Sequence, residues 1–275
     1  MILEAKNAVI FGAGGSLGGA VAKKFAKSGA KVFLSGRTLR SVEKVVEEIK
    51  ADGGHAEASE VDALDEQAIK NYVDSIVRKA GTVDICFNAV GLQDTQNIPL
   101  IRMSLPDFIR PIKIAMDTHF LTATAVGRIM VKQKSGVILS LTATPGGIGY
   151  PNVGGFGPAC CAIEGFSRDL ASELGPHNVR VINIRSAGSP DSRSFVEALE
   201  NDKQTAKAFL RKMESDTMLK KLPLMEDIAN VACFLVSDLA GKITGVTIDV
   251  TCGTTTALNY KVTNIPFVVK DLHPG

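Results

Sequence analysis

Val9-Ile10-Phe11-Gly12-Ala13-Gly14-Gly15-Ser16-Leu17-Gly18-Gly19 is an apolar run that enters a glycine-dense turn, and an alanine-rich helix over residues 20–27 leaves it. Glycines let a backbone bend tightly and approach a phosphate, while a helix start offers unpaired N–H groups and the positive end of its dipole. A dinucleotide pyrophosphate needs that arrangement and needs no side-chain charge. An ordinary strand-to-helix turn competes for the same glycines, and their place within a βαβ unit at the head of the sequence favours the nucleotide. Gly12, Gly14, Gly15, Ser16, Leu17 and Gly18 are the candidate pyrophosphate residues.

Beyond Gly29, Lys31-Val32-Phe33-Leu34-Ser35 reads as the second parallel strand, with Gly36-Arg37-Thr38 at its tip. An acid at that tip would hydrogen-bond a free ribose 2′-hydroxyl; Arg37 suits a 2′-phosphate instead, so the expected cofactor is NADP(H). Arg40 either assists or is simply solvated. A charged helix over residues 39–51 and a short strand over 55–59 lead to Val61-Asp62-Ala63. Asp62 suits either an adenine amino group or the capping of the helix opened by Leu64-Asp65-Glu66. A helix over 67–79 then precedes a buried strand that ends in Asn88-Ala89-Val90-Gly91. This alternation predicts an α/β fold, a Rossmann-type doubly wound parallel sheet in three layers, with ligands at the carboxyl ends of its strands.

The 275 residues, 45% hydrophobic, are enough for one large core, and no repeat or low-complexity tract divides them. A net charge of +2 with mixed signs leaves no basic footprint for nucleic acid. No apolar run is long enough for a bilayer and no signal peptide is evident, so a cytoplasmic protein is expected. Cys86, Cys160, Cys161, Cys233 and Cys252 suit a reducing compartment and form no metal-ligand pattern.

Over nearly its whole length the chain resembles the short-chain dehydrogenase/reductase family. Gly12 to Gly18 stands where that family has its TGxxxGxG turn, with Phe11 for the threonine and Ser16 for the middle glycine. The spacing Gly12, Gly15, Gly18 matches the GxxGxxG variant of extended and atypical members. Arg37 falls on the NADP-preferring position, Asp62 with Ala63 on the adenine contact, and Asn88, Val90 and Gly91 on the NNAG motif, of which two residues are kept. Leu222-Pro223-Leu224-Met225-Glu226-Asp227-Ile228-Ala229 and Ile243-Thr244-Gly245 look like the last helix and last strand.

The resemblance implies hydride transfer at a nicotinamide, with a tyrosine handling the accompanying proton. A lysine four residues on lowers that tyrosine's pKa from about 10, a serine orients the carbonyl oxygen, and an asparagine completes a relay. The serine position falls on Ala143, the tyrosine thirteen residues later on Phe156, the lysine on Cys160 and the asparagine on Ala115. No lysine lies between Lys134 and Lys203, so no shift of register restores the pair, although Thr142 and Thr144 flank Ala143. The standard Tyr-Lys carbonyl reduction is therefore not expected, and an atypical member is.

Tyr150, on the loop after the Ala143 strand, is a candidate proton donor or a pocket wall. His119, one helical turn beyond Ala115, is a candidate on the same face or a residue at a subunit contact. Cys160 is a candidate thiol nucleophile without a neighbouring base to generate a thiolate, and Cys160-Cys161 also read as small buried packing residues. The expected domain spans residues 1–253, with a polar, helix-prone lid at about 189–221 and a C-terminal extension at 254–275, whose apolar Ile265-Pro266-Phe267-Val268-Val269 calls for a cover. The resemblance further implies a homodimer or homotetramer built on long helices near 111–133 and 152–174, acting on a small-molecule substrate. The alternatives are a non-catalytic NADP(H)-binding sensor or structural protein, and a non-redox enzyme in the same pocket.

Overall fold

Residues of β1 (Asn7–Phe11) alternate between two buried faces: Ala8 and Ile10 join one apolar cluster, Val9 and Phe11 the other. A strand apolar on both sides belongs in the middle of a sheet covered by helices on both faces. A computed structural model, which describes residues 1–256, has that architecture. Its sheet of seven parallel strands runs β3-β2-β1-β4-β5-β6-β7. The strands are β1, β2 (Lys31–Gly36), β3 (His55–Glu60), β4 (Ile85–Asn88), β5 (Gly136–Ala143), β6 (Val179–Ser186) and β7 (Thr247–Val250). The order reverses between β1 and β4, so a crevice opens beyond their carboxyl ends.

Helices α1 (Ser16–Lys27), α2 (Leu39–Ala51) and α8 (Met225–Val236) cover the face that holds Ile10. The other face is covered by α3 (Glu66–Ala80), α4 (Leu105–Gln133) and α5 (Phe156–Leu174). Two further helices, α6 (Arg193–Asn201) and α7 (Lys203–Asp216), occupy the expected lid, joined by a stacked pair of rings, Phe195 and Phe209, 6.2 Å apart.

Several expected boundaries move. Helix α4 begins at Leu105 rather than 111, because Ser104 caps it by accepting from the Asp107 N–H at 3.2 Å; Pro111 lies inside the helix. Helix α5 begins at Phe156 rather than 152, since Asn152 and Gly154 have φ of +59° and +56° and cannot continue into an α-helix. The Ile243-Thr244-Gly245 stretch is a turn rather than the last strand: Gly245 has φ +70°, and Thr244 Oγ1 accepts from the Val181 N–H at 3.0 Å, just before β7. The cap of α3 is Asp65, which accepts from the Ala68 N–H at 3.0 Å; Asp62 instead accepts from the Leu64 N–H at 3.0 Å. The apolar stretch 265–269 and most of the expected extension lie outside the described residues.

Candidate functional site

A cleft of about 410 Å³ lies beyond the carboxyl ends of β1, β2 and β4. Gly12, Gly14 and Gly15 form its floor. Gly12 has φ +78°, and a Cβ there would stand 2.6 Å from the Ala89 carbonyl oxygen, so only glycine lets the turn pass so close to the β4 loop. The Gly12 and Ala13 N–H groups donate to the Ser35 carbonyl at 2.9 and 3.0 Å, which pins the turn to β2. Helix α1 starts at Ser16 with no acid in its first turn, so its positive end is left to an anion. Gly18 sits against the Gly12 carbonyl, and Leu17 packs on the core, so these two shape the turn without lining the cleft. The same turn is thus open to a diphosphate and closed to any larger side chain at Gly12.

Arg37, Asp62 and Ala63 line the far end of the cleft, whereas Arg40 does not reach it. With its amide oxygen turned to the guanidinium, Gln93 accepts from Arg37 Nη1 at 3.1 Å and Nη2 at 3.2 Å across the cleft. Val90 and Gly91 form the β4 wall. Asn88 is buried behind that wall: its Nδ2 donates to the Thr118 carbonyl at 3.2 Å and to Thr122 Oγ1 at 3.0 Å, while its Oδ1 accepts from the Val90 N–H at 3.0 Å. Asn88 therefore ties the wall to α4.

A second cavity of about 270 Å³ adjoins the ends of β5 and β6, between Thr144, Tyr150 and Ala187 on one side and Lys212, Met213 and Asp216 of α7 on the other. Lys212 and Asp216 form an ion pair at its rim. Burial, then the charge of Asp216, pushes the Tyr150 phenol above its ordinary pKa, and Lys212 opposes this. At neutral pH Tyr150 therefore holds its proton.

Ala143 ends β5, Phe156 opens α5, and Cys160 lies one turn along it, buried, with its thiol pushed up to about 12 chiefly by desolvation. The expected burial holds for Cys160 and fails for Cys161, which is exposed one residue further round the helix. Ala115, on α4, shares an apolar cluster with Ala159, Ile163 and Phe156. His119 is buried in its own chain rather than presented to another subunit: its Nδ1 is 2.9 Å from the Ala115 carbonyl, and desolvation lowers its pKa to about 4. It lies among Asn88, Thr122 and Ser140, apart from both cavities.

Two features were not anticipated from the residues alone. Beneath the turn Thr144–Gly146, Glu164 accepts from Arg185 at 3.0 Å (Nε) and 2.6 Å (Nη2), and from Thr142 Oγ1 at 2.9 Å. Arg185 also donates to Asp249 at 2.9 Å. The only signals for this pair are the arginines, Arg180 and Arg185, of the largely apolar stretch Val179–Ser186 and the single charge on the buried side of α5. The second feature is Arg193, at the start of α6: its N–H donates to Ser16 Oγ at 3.0 Å and its Nη2 to the Gly14 carbonyl at 3.2 Å, and it lines the first cleft. Among the described residues no cluster of acids, histidines and cysteines could hold a metal, and no helix is long and apolar enough to cross a membrane.

A family profile described as "Enoyl-(Acyl carrier protein) reductase" matches residues 12–255. The 2,3-dihydro-2,3-dihydroxybenzoate dehydrogenase of Bacillus subtilis is 32% identical, over 88% of this chain and 93% of its own. The 7alpha-hydroxysteroid dehydrogenase of Escherichia coli is 31% identical, over 94% and 97%. The crystal structure of an NAD+-bound xylitol dehydrogenase superposes with a TM-score of 0.85 at 26% identity, covering 91% of this chain and 99% of that one. The chain belongs to the short-chain dehydrogenase/reductase family and has the fold of its oxidoreductases.

Proposed function

We propose that the protein binds NADP(H) in the first cleft and serves an oxidoreductase reaction on a small molecule in the Tyr150 cavity, without the Tyr-Lys pair. The observation that carries the cofactor assignment is the Arg37 guanidinium at the β2 tip, held on a neutral amide oxygen inside the cleft. A 2′-phosphate offers Arg37 an anionic acceptor with several oxygens in place of that single neutral one. The glycine turn and the start of α1 hold the pyrophosphate, and Asp62 and Ala63 flank the adenine. Asn88, through its bond to Val90, keeps the opposite wall in place. When bound, the cofactor supplies or accepts a hydride.

Phe156 exchanges no proton, and Cys160 is a neutral thiol at working pH. Ala143 and Ala115 leave no serine or asparagine in the relay. On the substrate side Lys212 and Asp216 are paired with each other, and Tyr150 acts as a hydrogen-bond or proton donor to charge developing on the substrate rather than as a base. Such a site suits an acceptor that needs a weak acid or solvent for protonation, such as a conjugated enone. A cytoplasmic setting fits five free thiols, and a homodimer or homotetramer on α4 and α5 fits the exposed Phe120 of α4.

With no tryptophan in the chain, binding is followed by NADPH emission or calorimetry. NADPH binds more tightly than NADH, and Arg37→Ala loses affinity for NADPH more than for NADH; equal losses would refute the assignment. A Phe156→Tyr/Cys160→Lys double variant that gains carbonyl reductase activity would support a pocket still shaped for hydride chemistry. One second reading has an observation of its own. Phe156 packs with Ala115, Ala159 and Ile163 in an apolar cluster, as expected of a non-catalytic NADP(H) sensor. Tight NADPH binding with no oxidation across a panel of carbonyls and enones would favour it.

A further inference from the structure

We propose that Arg193 is a pyrophosphate-binding residue brought to the glycine turn by the lid, and that nucleotide occupancy is thereby transmitted to the wall of the substrate cavity. The inference rests on the nucleotide-cleft reading above and extends it to a residue 177 positions away from Ser16 in sequence.

The charge of the cleft points this way. Its lining carries two guanidinium groups, Arg37 and Arg193, against one carboxylate, Asp62. Neither arginine forms an ion pair among the described residues: Arg37 rests on the Gln93 amide and Arg193 on the Gly14 carbonyl. The two cations sit on neutral oxygens at different stations of the cleft, Arg37 at the β2 tip and Arg193 at the glycine turn. Two such stations suit a ligand with two separate anionic groups. A diphosphate at the turn offers Arg193 an anionic acceptor in place of a neutral carbonyl, which adds ion–ion attraction to the hydrogen bond.

The lid is built to carry the consequence. Arg193 is the first residue of α6, and α6 is joined to α7 through the Phe195–Phe209 stack. Gly188, where the lid leaves β6, is packed so closely that a Cβ would stand 2.7 Å from Met213 Cε and 3.1 Å from the Phe195 ring. Met213, with Lys212 and Asp216, walls the Tyr150 cavity. The α6–α7 pair therefore has its first residue at the glycine turn and its last turn at the Tyr150 cavity, so fixing one end restricts the other.

The test separates the two arginines with two fragments, ADP, which has a diphosphate and no 2′-phosphate, and adenosine 2′-monophosphate, which has the reverse. Calorimetry should show Arg193→Ala weakening ADP about ten-fold with little change for adenosine 2′-monophosphate, and Arg37→Ala doing the opposite. Trypsin reads the lid at Lys203, Lys207, Arg211 and Lys212. ADP should slow cleavage there several-fold in the wild-type chain and leave it unchanged in Arg193→Gln, which keeps a donor for the Gly14 carbonyl but carries no charge. Equal ADP affinity in wild type and Arg193→Ala, or ADP protection that persists in Arg193→Gln, would overturn the role of Arg193 while leaving Arg37 and the cofactor intact. Failure of the wild-type chain to bind either fragment would overturn the nucleotide reading and this one with it.

Discussion

Arg185→Met removes the cation that holds Glu164 beneath the turn at Thr144–Gly146. Glu164 has a side-chain exposure of 7% and Arg185 of 14%, so water replaces little of what is lost. In the variant the carboxylate keeps one neutral donor, the Thr142 hydroxyl at 2.9 Å, in place of a two-pronged guanidinium. Leaving one member of a buried pair uncompensated costs about 3–5 kcal/mol. At roughly 2–4 °C per kcal/mol for a domain of this size, the midpoint should fall by about 10 °C. A Glu164→Met/Arg185→Met double variant should recover most of that, because two apolar side chains restore a filled interior and no buried charge remains. Asp249 then loses a partner but is 32% exposed and retains Thr255 at 2.5 Å, a small loss. Thermal and urea denaturation of the four chains of this cycle give the coupling energy directly, and about 2 kcal/mol or more is expected. The Thr144–Pro151 loop above the pair bears Tyr150, so the single variant should also weaken ligand binding in the Tyr150 cavity. A single variant within about 1 kcal/mol of wild type, or a double variant no better than the single, would refute the reasoning.

Gly12→Ala forces a side chain into a φ of +78° and against the Ala89 carbonyl, so it should cost about 1–3 kcal/mol and remove nucleotide binding; retention of NADPH affinity by titration would contradict the cradle. His119 is held neutral with a pKa of about 4 against about 6.5 unfolded, so its share of stability is fully present above pH 6.5 and lost as pH falls towards 4, about 3 kcal/mol in all. His119→Gln should flatten the dependence of Tm on pH between 7 and 5, and an unchanged slope would show that another group titrates there. Cys161, exposed, should be alkylated by iodoacetamide at pH 8 while Cys160, buried and pushed up to about 12, stays unmodified; peptide mass mapping showing Cys160 modified first would reverse that assignment.

The sheet and the glycine turn were legible because local rules carry them. Glycine at positive φ, alternation along β1 and helical periodicity between strands are properties of a few consecutive residues, and they place Gly12, Arg37 and Asp62 at strand ends without knowledge of the rest. The boundaries that moved are those where two local signals compete. Pro111 reads as a helix start, yet Ser104 and Asp107 supply a cap a turn and a half earlier, and a proline early in a long helix forfeits only one backbone bond. Asn88 shows a different limit, since its motif was visible but its work was not: it braces the cleft wall from behind instead of lining it.

What the residues alone do not reveal is contact between elements far apart in the chain. Arg193 meets Gly14, Gln93 meets Arg37, and Glu164 meets Arg185 only after sheet order and helix docking have set their distances. No periodicity or turn rule encodes those meetings, because each side chain's own stretch is satisfied without them. A guanidinium resting on a carbonyl or an amide forgoes a stronger acceptor, and two such arrangements in one cleft have a common explanation in a ligand with two anionic ends. The same logic separates Arg185 from Arg37 and Arg193. Arg185 is already matched by Glu164 and Asp249 and acts on the fold, whereas among the described residues the two cleft arginines are matched only by neutral oxygens, which is what the proposed nucleotide binding requires.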